Sequence, residues 1–333
     1  MSWKPIAKTI HHVHHGPEST IHTFCKDNKP LLTVDSGTEV SFDNTHAGFM
    51  KLTKDSTAAD IAAINPKSLE DMEKFIGPVY VDGPVYVNGA EPGDILKVEI
   101  LELQTGSWGW TMIFPGMGLL QDEIPGPHLM TFDLPEGQDY AVFKPGIHIP
   151  RQPFYGTMGV APAEGEINAL FPRNDIGGNF DCRYLGEGST MFLPVNVPGA
   201  LFACADAHFS QGDGEICCTA LETTMRSRIR LSVIKGKEKL AAPHYETNPE
   251  RVKQMVSVAG KGEHGVLTTG DDRDTVIKQA VREVLRWLEE EKGLPVEEGY
   301  MLFSIIGNLK MMHELGIGVY TVSASIPLGI FVD

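Results

Sequence analysis

The densest concentration of reactive side chains in the sequence is Asp206-Ala-His208-Phe-Ser-Gln211-Gly-Asp213-Gly-Glu215, which follows one apolar stretch and precedes another. Gly212 and Gly214 permit a tight turn, and such a turn can bring carboxylates, an imidazole and a carboxamide to one point without help from distant parts of the chain. Two chemistries use this set. In one, Asp206, His208 and Glu215 bind a divalent metal that polarises a carbonyl and lowers the pKa of a bound water, while Asp213 carries a proton. In the other, a carboxylate and His208 act on water directly. A calcium-binding turn, or one closed only by its own hydrogen bonds, draws on the same residue types, so spacing leaves all of these open.

A second cluster is His11-His12-Val13-His14-His15, with His22 and His46 nearby in sequence. On a strand, His12 and His14 share one face and His11, Val13 and His15 the other. One such pair could reach a metal, since neutral imidazoles suit zinc, copper and nickel; the alternative is a polar strand edge. Asn179 and Asp181 follow a Gly-Gly turn that either aims both side chains into a cleft or closes on its own backbone. Cys217 and Cys218 lack a visible base or cation beside them and read as buried small hydrophobes rather than nucleophiles. There is no Gly-x-Ser-x-Gly elbow and no phosphate-binding loop, which argues against a serine hydrolase and against a nucleotide cofactor.

The elements that must position these residues are mostly strands. Residues 31–43 read as two strands around Ser36-Gly37, with Asp43 at a strand end. Ile95 to Leu103 is a strand with Leu96, Val98 and Ile100 on one face. Further strands are expected at Thr190–Val197, Ala200–Ala205, Glu215–Leu221 and Arg228–Ile234. From about 105 to 190 the chain is rich in Gly and Pro and poor in periodicity, which suggests ordered loops and short strands roofing a site. Thr275 to Lys292 places Ile277, Val281, Val284, Leu285 and Leu288 on one helical stripe, with Gly293 beyond its end; Pro295 opens a second helix to about Ile306, and Thr57 to Ile64 a shorter one.

The chain has 333 residues, 42% of them hydrophobic and 22% charged, with 35 Gly and 22 Pro, values that fit one large globular domain built on many turns. We expect an α+β, β-dominated fold in which antiparallel strands form a sandwich or barrel-like core with a few peripheral helices. It would be a single domain over 1–333, with possible β-rich subdomains at 1–104 and 105–333. A formal net charge of −16 argues against nucleic acid and membrane partners. Five cysteines form no small-domain disulfide pattern, and neither a signal sequence nor a membrane-length apolar run is visible, so a cytoplasmic location is expected.

Taken together, Gly199-Ala-Leu-Phe202 through Asp206-Ala-His208, Ser210-Gln-Gly-Asp-Gly-Glu215 and Thr219-Ala-Leu-Glu222 resemble the signature segment of the acetamidase/formamidase family. Gly83-Pro-Val-Tyr-Val-Asn-Gly-Ala-Glu-Pro-Gly-Asp94, Gly156-Thr-Met-Gly-Val-Ala-Pro162 and Gly177-Gly-Asn-Phe-Asp181 are similar to the same family and collinear with it. The resemblance implies hydrolysis of a short amide such as formamide or acetamide, a β-rich fold and a homo-oligomer, with a dimer expected. The matching polar positions are Asp206, His208, Asp213 and Glu215 for catalysis and Asn179, Asp181 and Gln211 for substrate. Asp206, His208 and Glu215, joined by Asp43, are the metal candidates, with zinc expected and calcium as a structural alternative. Cys218, where the family has glycine, Phe209, where a smaller residue is usual, and Gly307-Asn-Leu-Lys310, in place of an acidic residue and an arginine, depart from the pattern and bear on substrate choice. The rival readings are a non-catalytic metal-binding protein of the same fold and a related hydrolase for another small amide or imide.

Overall fold

The structure, a computed structural model, describes residues 11–44, 52–62, 80–236, 240–314, 316 and 318–332. Its largest unit is a 13-stranded sheet. One path across it runs through Gly177–Asn179, Phe154–Gly159, Phe202–Ser210, Leu221–Ile234, Ile95–Ile113, Thr190–Pro194 and His244–Glu246, antiparallel at every step. Val81–Asn88 also pairs with Phe202–Ser210, and Thr38–Asn44 with Leu221–Ile234. Each of these has a short parallel partner, Leu32–Asp35 and His11–Val13 respectively. With 45% of the described residues in strands and 17% in helices, the fold is the β-dominated α+β type expected.

Burial explains which strands were legible. Leu221–Ile234 buries Met225, Ser227, Ile229 and Leu231 and turns Arg226, Arg228 and Arg230 outward, the alternation of a sheet with one wet face. Phe202–Ser210 is buried at every position, so no period marks it. Ala203, Ala205 and Ala207 pack into one hydrophobic cluster and Phe209 into another, which puts Asp206 and His208 where the two clusters meet. Phe154–Gly159 is also buried at every position and lay unread in the Gly/Pro-rich stretch.

A separate antiparallel sheet orders Glu263–Gly270, Tyr320–Pro327 and Asn308–Glu314. The helix Arg273–Lys292 covers it, starting at an Asp272 cap that accepts from Thr275 N at 2.8 Å and ending at Gly293 in the left-handed region. Val296–Ile306 follows as expected and is buried from Gly299 onward. Its C-terminal turn receives the glycine-rich segment: Gly212 N donates to Ser304 O and Asp213 N to Gly307 O, both at 2.8 Å. A Cβ on Gly212 would lie 2.5 Å from Phe303 O, so close docking requires glycine there.

Several boundaries differ from expectation. The strand at Ile95 runs to Ile113, the strand expected from Glu215 begins only at Leu221, and the one from Thr190 stops at Pro194. Asp206 to Ser210 complete a strand rather than opening a turn, which falls at 211–215 instead. Cys217 is buried, whereas Cys218 is exposed with φ +72°. Pro249–Val256 is an unanticipated helix capped by Asn248. The helix near residue 57 spans Ala58–Ala62; its expected continuation and His46 lie outside the described residues. Among the described residues no helix is long and apolar enough to cross a membrane.

Candidate active site

His208 sits at a register point where three strands meet, opposite Phe154 on one side and Glu222 on the other. It is almost wholly buried, and Phe154 meets its ring edge-on at 4.9 Å. Nε2 is 3.3 Å from Asp206 Oδ1 and 3.3 Å from Glu222 Oε2. Glu222 is fixed in turn by Ala220 N, which donates to its Oε1 at 3.0 Å. Asp206 lies opposite Gly156 and leaves the regular ladder with φ +65°, a conformation a non-glycine residue holds only when its surroundings impose it.

Asp181 and Glu215 enter from loops, also in the left-handed region at φ +48° and +42°. Asp181 N and Phe180 N both donate to Gly156 O, and Asn179 Nδ2 donates to Asp181 Oδ2 at 2.8 Å. Thr157 Oγ1 donates to Asn179 Oδ1, and Gln211 Nε2 to Asp181 O at 2.9 Å. A Cβ on Gly156 would fall 2.2 Å from Asp206 Oδ2 and 2.3 Å from Asp181 Oδ1, so the missing side chain makes room for two carboxyl groups to share one space. Asp181 with His208 and Glu215, and Asp206 with His208 and Glu222, each place three ligand atoms within 4.8 Å of one another.

Four carboxyl groups around one imidazole cannot all hold full charge out of water. Burial raises Asp181 well above the ordinary carboxylate range and neighbouring Asp206 raises it further. Burial likewise raises Glu215, with Asp181 adding to it, and Glu222, where His208 works against the rise. Asp206 goes the other way: burial opposes ionisation, but the charge of His208 and hydrogen bonds from His208 and Asp181 hold it below its usual value. Burial would discharge His208, yet Glu222 and Asp206 together keep its pKa well above that of a free imidazole. The site therefore surrounds an imidazole favoured in its charged form with carboxyl groups whose pKa values are pushed in opposite directions, Asp206 down and Asp181, Glu215 and Glu222 up.

The structure thus gathers Asp206, His208, Glu215 and Asp181, with Asn179 and Gln211 holding the Asp181 loop. It places two of the sequence candidates elsewhere. Asp213 Oδ1 is 3.7 Å from Arg183 and accepts from Tyr184 Oη at 3.4 Å, while its Oδ2 accepts from Leu309 N at 3.3 Å. Asp43 lies with His12, His14 and Arg226. Glu222 was quoted in the sequence only within the Thr219-Ala-Leu-Glu222 stretch; the signal that identifies it is cross-strand register with His208. Gly156 was likewise quoted without a role.

The sequence model of the acetamidase/formamidase family matches residues 11–170 and 163–333. The chain belongs to this family and is an amidase, a hydrolase of the carbon–nitrogen bond in linear amides. The formamidase of Methylophilus methylotrophus is 28% identical over 215 residues, which is 47% of this chain and 52% of that one, so the match spans about half of each. The crystal structure of an acetamidase from Bacillus halodurans is 27% identical with a TM-score of 0.61, over 96% of this chain and 98% of that one. A γ-lactamase from Delftia acidovorans shares the fold at a TM-score of 0.81 and 21% identity, over 94% of this chain and 90% of that one.

Proposed function

We propose that the protein hydrolyses a short aliphatic amide of the formamide or acetamide class to its carboxylate and ammonia, at the His208 cluster. The observation that carries this reading is one imidazole held between Asp206 and Glu222 while Asp206 and Asp181 share one space, where burial and mutual repulsion push their pKa values apart. Pairs of acids pushed apart in pKa define the acid and the base of a hydrolase. Asp206 accepts a proton as water adds to the carbonyl carbon, and His208 as imidazolium faces the oxyanion that forms. The carbon–nitrogen bond then breaks, and the departing nitrogen takes its proton from Asp181 or Glu215.

Gln211 Oε1 is buried without a protein partner while Nε2 is committed to Asp181 O, so this oxygen accepts an N–H of the substrate carboxamide. Asn179 uses both ends of its amide, accepting from Thr157 on the neighbouring strand and donating to Asp181, and so positions Asp181. Asp213, tied to Arg183 and Leu309, fixes the 211–215 turn in place of carrying protons.

The residues also fit a divalent cation. His208 Nδ1 is buried without a protein partner, and the 3.3 Å spacings around His208 Nε2 match the edge of a tetrahedral zinc site, about 3.3 Å for bonds of about 2.0 Å. Asp206, His208 and Glu222, or Asp181, His208 and Glu215, would hold it. Bound there, zinc would polarise the carbonyl and acidify a water.

We place the protein in the cytoplasm, a reading its five free thiols support, and as a homo-oligomer, for which exposed Leu267, Met311 and Met312 offer apolar surface. Sedimentation at a single-chain mass would contradict the second point. The function itself is tested by ammonia release from formamide, acetamide and propionamide, with and without chelator. Release from one of these is expected. Full activity of metal-free protein would remove the cation and leave the amidase, whereas no release from folded, metal-replete protein would remove the amidase reading.

A further inference from the structure

The N-terminal histidines play no part in that chemistry, yet they converge. His11–Val13 runs parallel to Thr38–Asn44, with His12 opposite Ser41 and Val13 opposite Phe42. Val13 is buried, so alternation sends His12 and His14 to the outer face, where Asp43 also points. His12 Nε2 lies 3.0 Å and His14 Nδ1 3.4 Å from a single oxygen, Asp43 Oδ2. The two rings pack with centroids 3.9 Å apart, and the three ligand atoms all fall within 4.8 Å of one another.

We propose that His12, His14 and Asp43 form a second divalent-cation site, separate from the His208 cluster, which clamps the N-terminal strand onto the main sheet. Two imidazoles and one carboxylate select a borderline ion of the zinc, nickel or copper class over magnesium or calcium, which take oxygen ligands. A tetrahedral ion with bonds of about 2.0 to 2.1 Å sets its ligand atoms about 3.3 to 3.4 Å apart. The observed 3.0 and 3.4 Å need only a small adjustment to meet that spacing.

Arg226, directly opposite Asp43 in the next strand, donates from Nε to Oδ1 at 2.5 Å and more distantly from Nη2 to Oδ2 at 3.4 Å. This leaves Oδ2 facing the histidines and orients the carboxylate as an outer partner of a metal ligand does. The guanidinium charge also opposes a cation, so the site is weaker than a four-ligand structural zinc site. The His14 side chain is 79% exposed, which opens the remaining coordination positions to solvent. A three-residue strand makes few ladder bonds, and an ion drawing ligands from both strands binds only when they are paired.

The test uses the full chain and Zn²⁺ as probe. Equilibrium dialysis should leave one fewer ion per chain on His14→Ala than on wild type, and the same on His12→Ala, with ammonia release by His14→Ala unchanged. Because His14 is exposed, its removal leaves the core intact. In a His208→Asn background, where the other cluster is broken, this ion should persist and vanish when His14→Ala is added. Hydrogen exchange over residues 11–13 should slow with Zn²⁺ in wild type and not in His14→Ala. Equal Zn²⁺ content and affinity with and without His14 would overturn the site and leave an ion pair; binding without protection of the strand would overturn the clamp.

Discussion

His208 stays charged in the interior because two carboxylates share the task of offsetting its burial, and that division assigns different effects to each neighbour. Glu222→Gln keeps the shape and removes one of the two charges, so we expect kcat to fall on the order of 10²-fold with little change in stability, read by steady-state ammonia release beside a denaturant titration. Gly156→Ala would drive a methyl group into Asp206 and Asp181, and a displacement of that size at reacting groups costs on the order of 10²-fold in rate. Unaltered kinetics in that variant would mean that the two carboxyl groups need not share the space. Asp181 supplies a pH signature. Its folded pKa lies above its unfolded value, so its contribution to stability is full below the ordinary carboxylate range and is lost as pH rises through the raised value. Asp181→Asn cannot ionise, and its stability against alkaline pH should decline less steeply than that of wild type.

The elements carry these residues with unequal transparency in the sequence. The late helix was legible because stripe and terminating glycine are both local; its cap is as local, and Asp272→Ala should cost about 1 kcal/mol, seen as a lower Tm with amidase activity unchanged. The Asp206 to Glu215 segment was legible for the same reason, since its residues are neighbours in the chain. What joins them was not. Glu222 reaches His208 through strand register, Asp181 reaches Asp206 across a pair of strands, and Arg183 draws Asp213 away through a contact thirty residues distant in sequence. None of these has a local pattern. Phe202–Ser210 and Phe154–Gly159 also escape a period-two reading, because burial on both faces leaves no polar positions to mark the alternation. Asp43 was grouped with His208 for lack of such register: its strand lies between those of Arg226 and His12, which sets it beside the N-terminal histidines.

On the scale of the whole molecule, the two hydrophobic clusters meet along the Phe202–Ser210 strand and enclose the titratable groups in a low-dielectric setting where proton positions are set by neighbours and not by solvent. The strongly acidic surface fits a neutral substrate better than an anionic one. A small amide meets these conditions, and so does the family to which the chain belongs. The most direct test is steady-state ammonia release from formamide and acetamide by wild type beside Asp206→Asn, with folding of both confirmed by circular dichroism. Our account predicts release by the wild type and a loss of at least about 10²-fold in kcat in the variant, since removing the ionised member of the pair removes the base; a variant that hydrolyses the same amide at the wild-type rate would contradict it.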